Sequence, residues 1–308
     1  MLFMLRYTVK RTLMAILTLW VIITITFFLM HSIPGDPFTD QKKIPAEIME
    51  KLKMKYGLDK PLIVQYGTYL KNILKGDLGD SMKYKNRSVN DMLRDGFPAS
   101  FKIGIYALAL GAGLGILFGI AAALHRGKAI DYFVIVLAVI GVSVPSFVFA
   151  ALFQWIFGVW LEVLPVARWG TPAHYIMPVC ALGASYIAYI ARMMRTSMLD
   201  VLNQDYIRTA RAKGLSSFAV TWKHTIRNAI LPIVTILGVS FAGIVVGSFV
   251  IESIFAVPGI GKYFVQSITQ QDYTLIMGTT IFYAAILILM MYIVDLFYGV
   301  VDPRIRLE

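Results

Sequence analysis

The sequence predicts an all-α membrane protein with six transmembrane helices and a helical extracytoplasmic segment between helices 1 and 2. Three observations predict it. The 308-residue chain is 58% hydrophobic and 15% charged, where a soluble domain is about 45–50% apolar and about 25% charged. Its mean hydropathy is +0.69. Six long stretches carry no charge, and basic residues gather between alternate stretches. This composition excludes a water-soluble enzyme, a disordered chain and a nucleic-acid-binding domain. The net charge of +11 is read as basic loops beside lipid. The single cysteine, Cys180, rules out an internal disulfide framework and a cysteine-rich metal site.

The charge-free stretches are Thr12–Met30, Ile103–Leu124, Tyr132–Leu161, Trp169–Ala191, Asn228–Ile251 and Tyr273–Val294. Each is about 19 residues or more, long enough to cross hydrocarbon as a helix. A bilayer makes the backbone satisfy its own hydrogen bonds, so helices are expected. The third stretch exceeds one crossing and is expected to continue into an interfacial piece around Trp155–Trp160. The first is too long for a signal peptide and ends in His31-Ser-Ile-Pro-Gly-Asp36, not a small-residue cleavage site.

Orientation is read from the basic residues. Arg6, Lys10 and Arg11 precede span 1, and Arg126 and Lys128 separate spans 2 and 3. Arg192, Arg195, Arg208, Arg211, Lys213, Lys223 and Arg227 separate spans 4 and 5, and Arg304 and Arg306 follow span 6. The short opposite loops hold only Arg168 and Lys262 against Glu162, Glu252 and Asp272. Both termini are therefore expected in the cytoplasm. The expected divisions are 1–31 (N-terminus and span 1), 32–98 (extracytoplasmic segment), 99–300 (spans 2–6, with a cytoplasmic loop at 196–228) and a tail at 301–308.

The outer segment carries its own helix signals. Pro45 opens a stretch with Ile48, Leu52 and Tyr56, stopped by Gly57. Pro61 opens another with Ile63, Tyr66, Leu70, Ile73 and Leu74, stopped by Gly76. Ser88-x-x-Asp91 is a capping box, expected to start a short helix ending near Gly96. The segment reads as a small helical cap or as a spacer packed on the bundle. In span 2, Gly111, Gly115 and Gly119 share one helix face, which suits close packing, with a gating role as the alternative. Pro145, within span 3, is expected to kink its helix.

No catalytic site is visible. The chain lacks His-Glu-x-x-His, paired cysteines and a phosphate-binding glycine loop. Its histidines, at 31, 125, 174 and 224, have no metal-ligand spacing, so no metal and no catalytic residue is assigned. Any energy for work in the membrane comes from elsewhere.

The loop between spans 4 and 5 is the most informative segment. Asp205-Tyr-Ile-Arg-Thr-Ala-Arg-Ala-Lys-Gly214 reads as a short helix with a left-handed stop at Gly214. Asn203 or Asp205 is expected to cap its start, and Ser216 or Ser217 to cap the next helix. Ile207, Ala210 and Leu215 fall on one side, rimmed by Arg208, Arg211 and Lys213. Such a helix suits a groove on a partner or an anionic lipid surface. Beyond span 5, Glu252-Ser-Ile-Phe-Ala-Val-Pro-Gly-Ile-Gly261 places irregular backbone near the membrane. It is expected either to fold back into a wet outer mouth or to be a surface turn.

These motifs resemble the permeases of ABC importers, in their peptide and nickel branch. Tyr206-Ile-Arg-Thr-Ala-Arg-Ala-Lys-Gly-Leu-Ser216 and Lys223-His-x-x-Arg-Asn-Ala-Ile-Leu-Pro232 are similar to the family's ATPase-docking loop. Arg208-Thr209-Ala210 takes the place of the general Glu-Ala-Ala. Pro34-Gly-Asp-Pro37, Tyr56-Gly-Leu-Asp-Lys-Pro61, Gly76-Asp-Leu-Gly79, Ser143-Val-Pro-Ser-Phe147, Glu252 to Gly261, Asp272-Tyr273 and Tyr298-Gly-Val-Val-Asp-Pro-Arg-Ile-Arg306 match the branch in order. Lys83-Tyr-Lys85 and Pro165-Val-Ala-Arg-Trp169 resemble most the B-type membrane subunit of oligopeptide importers.

The resemblance implies an oligopeptide permease of a prokaryotic cytoplasmic membrane, working by alternating access. A dipeptide, nickel or glutathione permease, or a peptide-sensing receptor, is the alternative. It implies a heterodimer with a second homologous permease, one or two cytoplasmic ATPases and an extracytoplasmic peptide-binding protein. ATP and Mg belong to those ATPases, and this chain binds no cofactor. The docking residues implied are Tyr206, Ile207, Arg208, Thr209, Ala210, Arg211, Ala212, Lys213, Gly214 and Leu215. The outer-mouth residues implied are Glu252, Phe255, Pro258, Gly259 and Gly261.

Overall fold

The computed structural model describes residues 2–33, 38, 45–245 and 247–301. The Pro34-Gly-Asp-Pro37 motif and the tail from Asp302 lie outside them. Among the described residues the chain is helical, with one isolated bridge between Asp80 and Ser88. Helix α1 (Leu2–Ser32) leads to α2 (Ala46–Tyr56) and α3 (Leu62–Leu74). Proline precedes the first residue of each short helix, and Gly57 closes α2 at φ 68°. The Leu58 N–H reaches back to the Lys53 carbonyl at 2.9 Å, completing a left-handed stop.

Helix α4 runs unbroken from Val89 to Leu124. Ser88 caps the helix: the Asp91 N–H donates to Ser88 Oγ at 3.0 Å, and Ser88 Oγ donates to Asp91 Oδ2 at 2.6 Å. The expected stop near Gly96 does not occur, and the division placed after residue 98 falls inside this helix. Gly96 serves close packing instead. A Cβ there would lie 3.1 Å from the Gly259 carbonyl carbon, so tertiary contact replaces the stop that local propensity suggests.

The third stretch is broken. Helix α5 (Ala129–Ser143) ends before Pro145, and α6 (Ser146–Phe153) continues as a π-helical segment, Gln154–Trp160. The two halves meet at 103°, far sharper than a proline kink. Val144 is extended at ψ 122°, as the residue before a proline prefers. In the π segment Trp155 stacks on Trp160 with 6.3 Å between ring centres.

Helix α7 (Ala173–Leu202) starts four residues later than the fourth charge-free run and continues well past its end. It is the central post of the bundle. The glycine face of α4 packs on it: Cβ atoms at Gly111, Gly115 and Gly119 would approach Tyr186, Ile190 and Met194 Cβ to 2.5, 2.8 and 2.5 Å. Gly141 of α5 meets Ala188 in the same way, at 2.6 Å. The stripe therefore packs helices closely. Gly119→Leu is expected to cost about 1–3 kcal/mol by overpacking, read as a lower melting temperature in detergent.

After α7 come α8 (Asp205–Ala212), α9 (Ser217–Ala219), a π segment (Val220–Ile226) and α10 (Arg227–Ala229). Helix α11 (Leu231–Val245) then departs at 42° to the preceding segment. The fifth stretch is thus no single helix. It bends beside Pro232 and is interrupted at Gly247, with φ 90°, before α12 (Phe249–Ile254). Helix α13 (Gly261–Thr269) and α14 (Tyr273–Val301) complete the chain. Among the described residues four helices are long and apolar enough to cross a membrane, or six spans if each bent pair counts as one.

The segment between α1 and α4 is fastened at both sides. On α1, Thr24 Oγ1 lies 2.6 Å from the Tyr66 hydroxyl and His31 Nε2 lies 3.2 Å from Gln65 Oε1. On α14, the buried Asp272 carboxylate accepts from Ser81 Oγ and from the backbone N–H groups of Met82 (3.1 Å), Lys83 (3.3 Å) and Leu275 (3.1 Å). Asp272 thus caps α14 and holds the segment at one point. A cavity of about 380 Å³ lies between the segment, α1 and α14, with Tyr56 and Tyr69 in its wall. Burial pushes both phenols above their ordinary pKa, and Asp80 and Asp272 add to the effect on Tyr56.

Candidate functional site

Two irregular regions sit at opposite ends of α7. The 30-residue helix is roughly 45 Å long at 1.5 Å per residue, so the regions are joined by a rigid rod.

At the C-terminal end, α8 comes after α7 across a two-residue turn. Neither Asn203 nor Asp205 caps it: Asn203 closes α7, Gln204 holds the N-cap position without a side-chain bond, and Asp205 is the first helical residue. An acidic side chain there complements the helix dipole. Gly214 stops the helix at φ 76°, with the Leu215 N–H returning to the Ala210 carbonyl at 3.3 Å. Ser216 caps α9, its Oγ accepting from the Ala219 N–H at 3.2 Å.

The two sides of α8 have different uses. Ile207 and Ala210 are buried against the chain's own Val220 and Val201. They do not belong to a free surface, contrary to the side expected from spacing. Tyr206, Arg208, Thr209, Arg211, Ala212, Lys213, Gly214 and Leu215 are exposed. Phe218 and Trp222 extend the exposed surface, 5.9 Å apart between ring centres. The chain thus presents a rigid, basic and aromatic knob whose orientation is fixed by Ile207 and Ala210.

At the N-terminal end of α7 the segment 252–261 folds onto α4 and α6. Glu252 is 1% exposed. Its Oε1 accepts from Ser100 Oγ at 2.7 Å and its Oε2 from the Gly261 N–H at 2.8 Å. Ser100 Oγ also accepts from the Ile260 N–H at 2.9 Å. Glycine is required around this carboxyl group. A Cβ at Gly259 would lie 2.3 Å from Glu252 Oε2, and one at Gly261 2.7 Å from it. Phe255 is buried with Ile103, Ala150, Met177 and Ala181, and its carbonyl accepts from the Arg168 N–H at 3.0 Å. Pro258 is exposed at the loop's tip. The five residues singled out by sequence are therefore one packed unit rather than a loose turn. Pro145 stands apart, at the α5–α6 break.

Sequence reasoning missed Ser100, Gly247, where a Cβ would lie 2.4 Å from Glu252 Oε1, and one ion pair, Asp131 with Arg195. Asp131 is 2% exposed. It accepts from Arg195 Nε at 2.5 Å and Nη2 at 2.9 Å, and from the Gly127 N–H at 2.9 Å. Asp131 opens α5 and lies next to an apolar run, which disguises it as a loop residue. Among the described residues no group of His, Cys, Asp and Glu could hold a metal.

A bundle of long apolar helices thus carries an exposed knob at one end of its central post and a folded-back loop at the other. Residues 115–307 match the family described as binding-protein-dependent transport system inner membrane component, and residues 4–103 match its N-terminal companion. The chain belongs to that family. It is 50% identical over 305 residues to the dipeptide transport system permease protein DppB of Bacillus subtilis (strain 168), covering 99% of both chains. It is 45% identical to the oligopeptide transport system permease protein OppB of Haemophilus influenzae, covering 98% of this chain and all of that one. Among solved structures, an amino acid ABC transporter aligns with a TM-score of 0.56 at 17% identity, over 69% of this chain and 95% of that one. The MetNI methionine ABC transporter aligns at 0.53 and 18%, over 68% and 96%. Those two likenesses establish a shared fold.

Proposed function

We propose that the chain is one of two membrane subunits of an ATP-driven peptide importer. The observation that carries this is full-length similarity to peptide permeases at 45–50% identity, joined to an exposed knob held rigid on α7. The α8 end faces the cytoplasm, a reading that the basic loops support, and receives one or two ATPases. A second, homologous permease completes the pathway, and an external binding protein delivers the peptide. The 252–261 loop belongs to the outer mouth. ATP binding shifts the population between inward- and outward-open states because the ATPases grip the knob differently in each. This chain supplies the path and the linkage, and catalysis resides in the ATPases.

The transported class is read as oligopeptides, on Lys83-Tyr-Lys85 and Pro165 to Trp169. The dipeptide reading has its own support in the 50% identity to a dipeptide permease. Competition separates them. The complete complex in proteoliposomes is expected to take up labelled pentapeptide in the presence of a hundredfold excess of dipeptide. Loss of that uptake under dipeptide, with dipeptide itself accumulating, overturns the oligopeptide assignment.

A further inference from the structure

We infer that the Asp131–Arg195 pair is a positioning strut that makes α5 move with α7, so that motion entering at α8 reaches the break at Pro145. The inference rests on the proposed function for its energy source. Its support is geometric. The last two turns of α7 carry Arg195 and lead within one short turn into α8. Arg195 grips Asp131 through two nitrogens, at 2.5 and 2.9 Å, a fork that fixes orientation as well as distance. The 125–128 turn joins the same carboxylate through the Gly127 N–H. One turn earlier in α7, Arg192 Nη2 donates to the Ala138 carbonyl of α5 at 3.2 Å, and Gly141 lets α5 lie directly on Ala188. Bonds and close packing therefore join α5 to α7 along most of its length.

Among the described residues the hydrogen bonds to α7 end beyond Ser143, and α6 meets α7 only through apolar packing, with Ala150 buried in one cluster with Met177 and Ala181. The chain turns through 103° at Val144–Pro145, and α6 with its π segment also reaches the 252–261 loop: Gln154 Nε2 donates to the Ile254 carbonyl at 3.0 Å. Displacement of α7 therefore carries α5 with it as one body, up to the break at Pro145. The pair is nearly enclosed, with Arg195 22% and Asp131 3% exposed at the side chain. Water therefore competes weakly for it, and a bidentate pair resists rotation where a single bond would not.

The test uses the full complex with its ATPases and binding protein in proteoliposomes. Asp131→Asn and Arg195→Lys are expected to keep ATP hydrolysis while transported solute per ATP falls about tenfold, within the range of coupling energies between sites. Asp131→Glu, which retains the charge, is expected to recover part of the loss. A parallel fall in assembly, hydrolysis and uptake assigns the pair a folding role only and overturns the strut. A second measurement does not depend on the solute. Nitroxides at Phe133→Cys and Thr196→Cys, in a Cys180→Ser background, report α5–α7 separation. It is expected to be equal in the nucleotide-free and vanadate-trapped complexes, and to change between them once Asp131→Asn is added. A wild-type separation that changes with nucleotide, or an Asp131→Asn separation that does not, overturns the inference. Failure of the wild-type complex to take up peptide counts against the proposed function alone.

Discussion

Tyr206→Asp combined with Leu215→Asp is expected to abolish capture of the ATPase while leaving the membrane subunit folded. Both side chains are exposed, 44% and 43%, and neither belongs to the Ile207–Ala210–Val220 contact that holds α8 in place. Aromatic anchors at interface centres commonly contribute about 2 kcal/mol or more, a loss of roughly 30-fold in affinity each. An added carboxylate must also be desolvated on docking. The check is co-purification of the ATPase beside the melting temperature of the subunit in detergent. Undiminished capture at normal melting temperature would remove α8 from the docking role. Ala210→Glu is the wrong probe. It buries a charge against Val220 and is expected to unfold the loop whatever its role.

The second large effect is expected at Gly259. In Gly259→Val the added carbons occupy the place of the Glu252 carboxylate, which a Cβ alone would approach to 2.3 Å. The displaced carboxylate leaves the Ser100 hydroxyl hydrogen and the Gly261 N–H without an acceptor in a buried place. Each orphaned group costs about 1–3 kcal/mol. The loop then detaches from α4, and peptide uptake is expected to fall by more than tenfold while ATPase assembly, at the far end of α7, is kept. Uptake and co-purification measured on the same preparation check this. Full uptake by Gly259→Val would mean that the packed loop takes no part in the pathway.

Local chemistry made several features legible in advance. Gly57 and Gly214 stop helices through their own backbone, and Ser88 caps α4 from three residues away. The Gly111–Gly115–Gly119 face also announced itself, because its spacing is a property of one helix. What escaped depends on partners distant in sequence. Gly96 looks like a stop until Gly259 and Ile260 are laid against it. Ser100 has no meaning without Glu252, 152 residues away, and Asp131 none without Arg195, 64 residues away. Apolar content marked the third and fifth spans, and Pro145 announced a kink in the third, but neither its 103° turn nor the interruption at Gly247 could be read, since hydropathy reads length and not direction. For α8, spacing put Ile207, Ala210 and Leu215 on one side, but the fold turns only Ile207 and Ala210 inward and leaves Leu215 exposed.

The central claim is that this chain forms part of an ATP-driven path across a membrane. Concentrative uptake tests it most directly. Proteoliposomes holding the complete complex are loaded with ATP and supplied outside with binding protein and labelled peptide, and free peptide inside is measured over time. The account predicts accumulation above the outside concentration, only with luminal ATP and only with this subunit present. Equilibration without ATP would indicate a channel. Hydrolysis stimulated by the binding protein without accumulation would indicate a receptor. Either result contradicts the account.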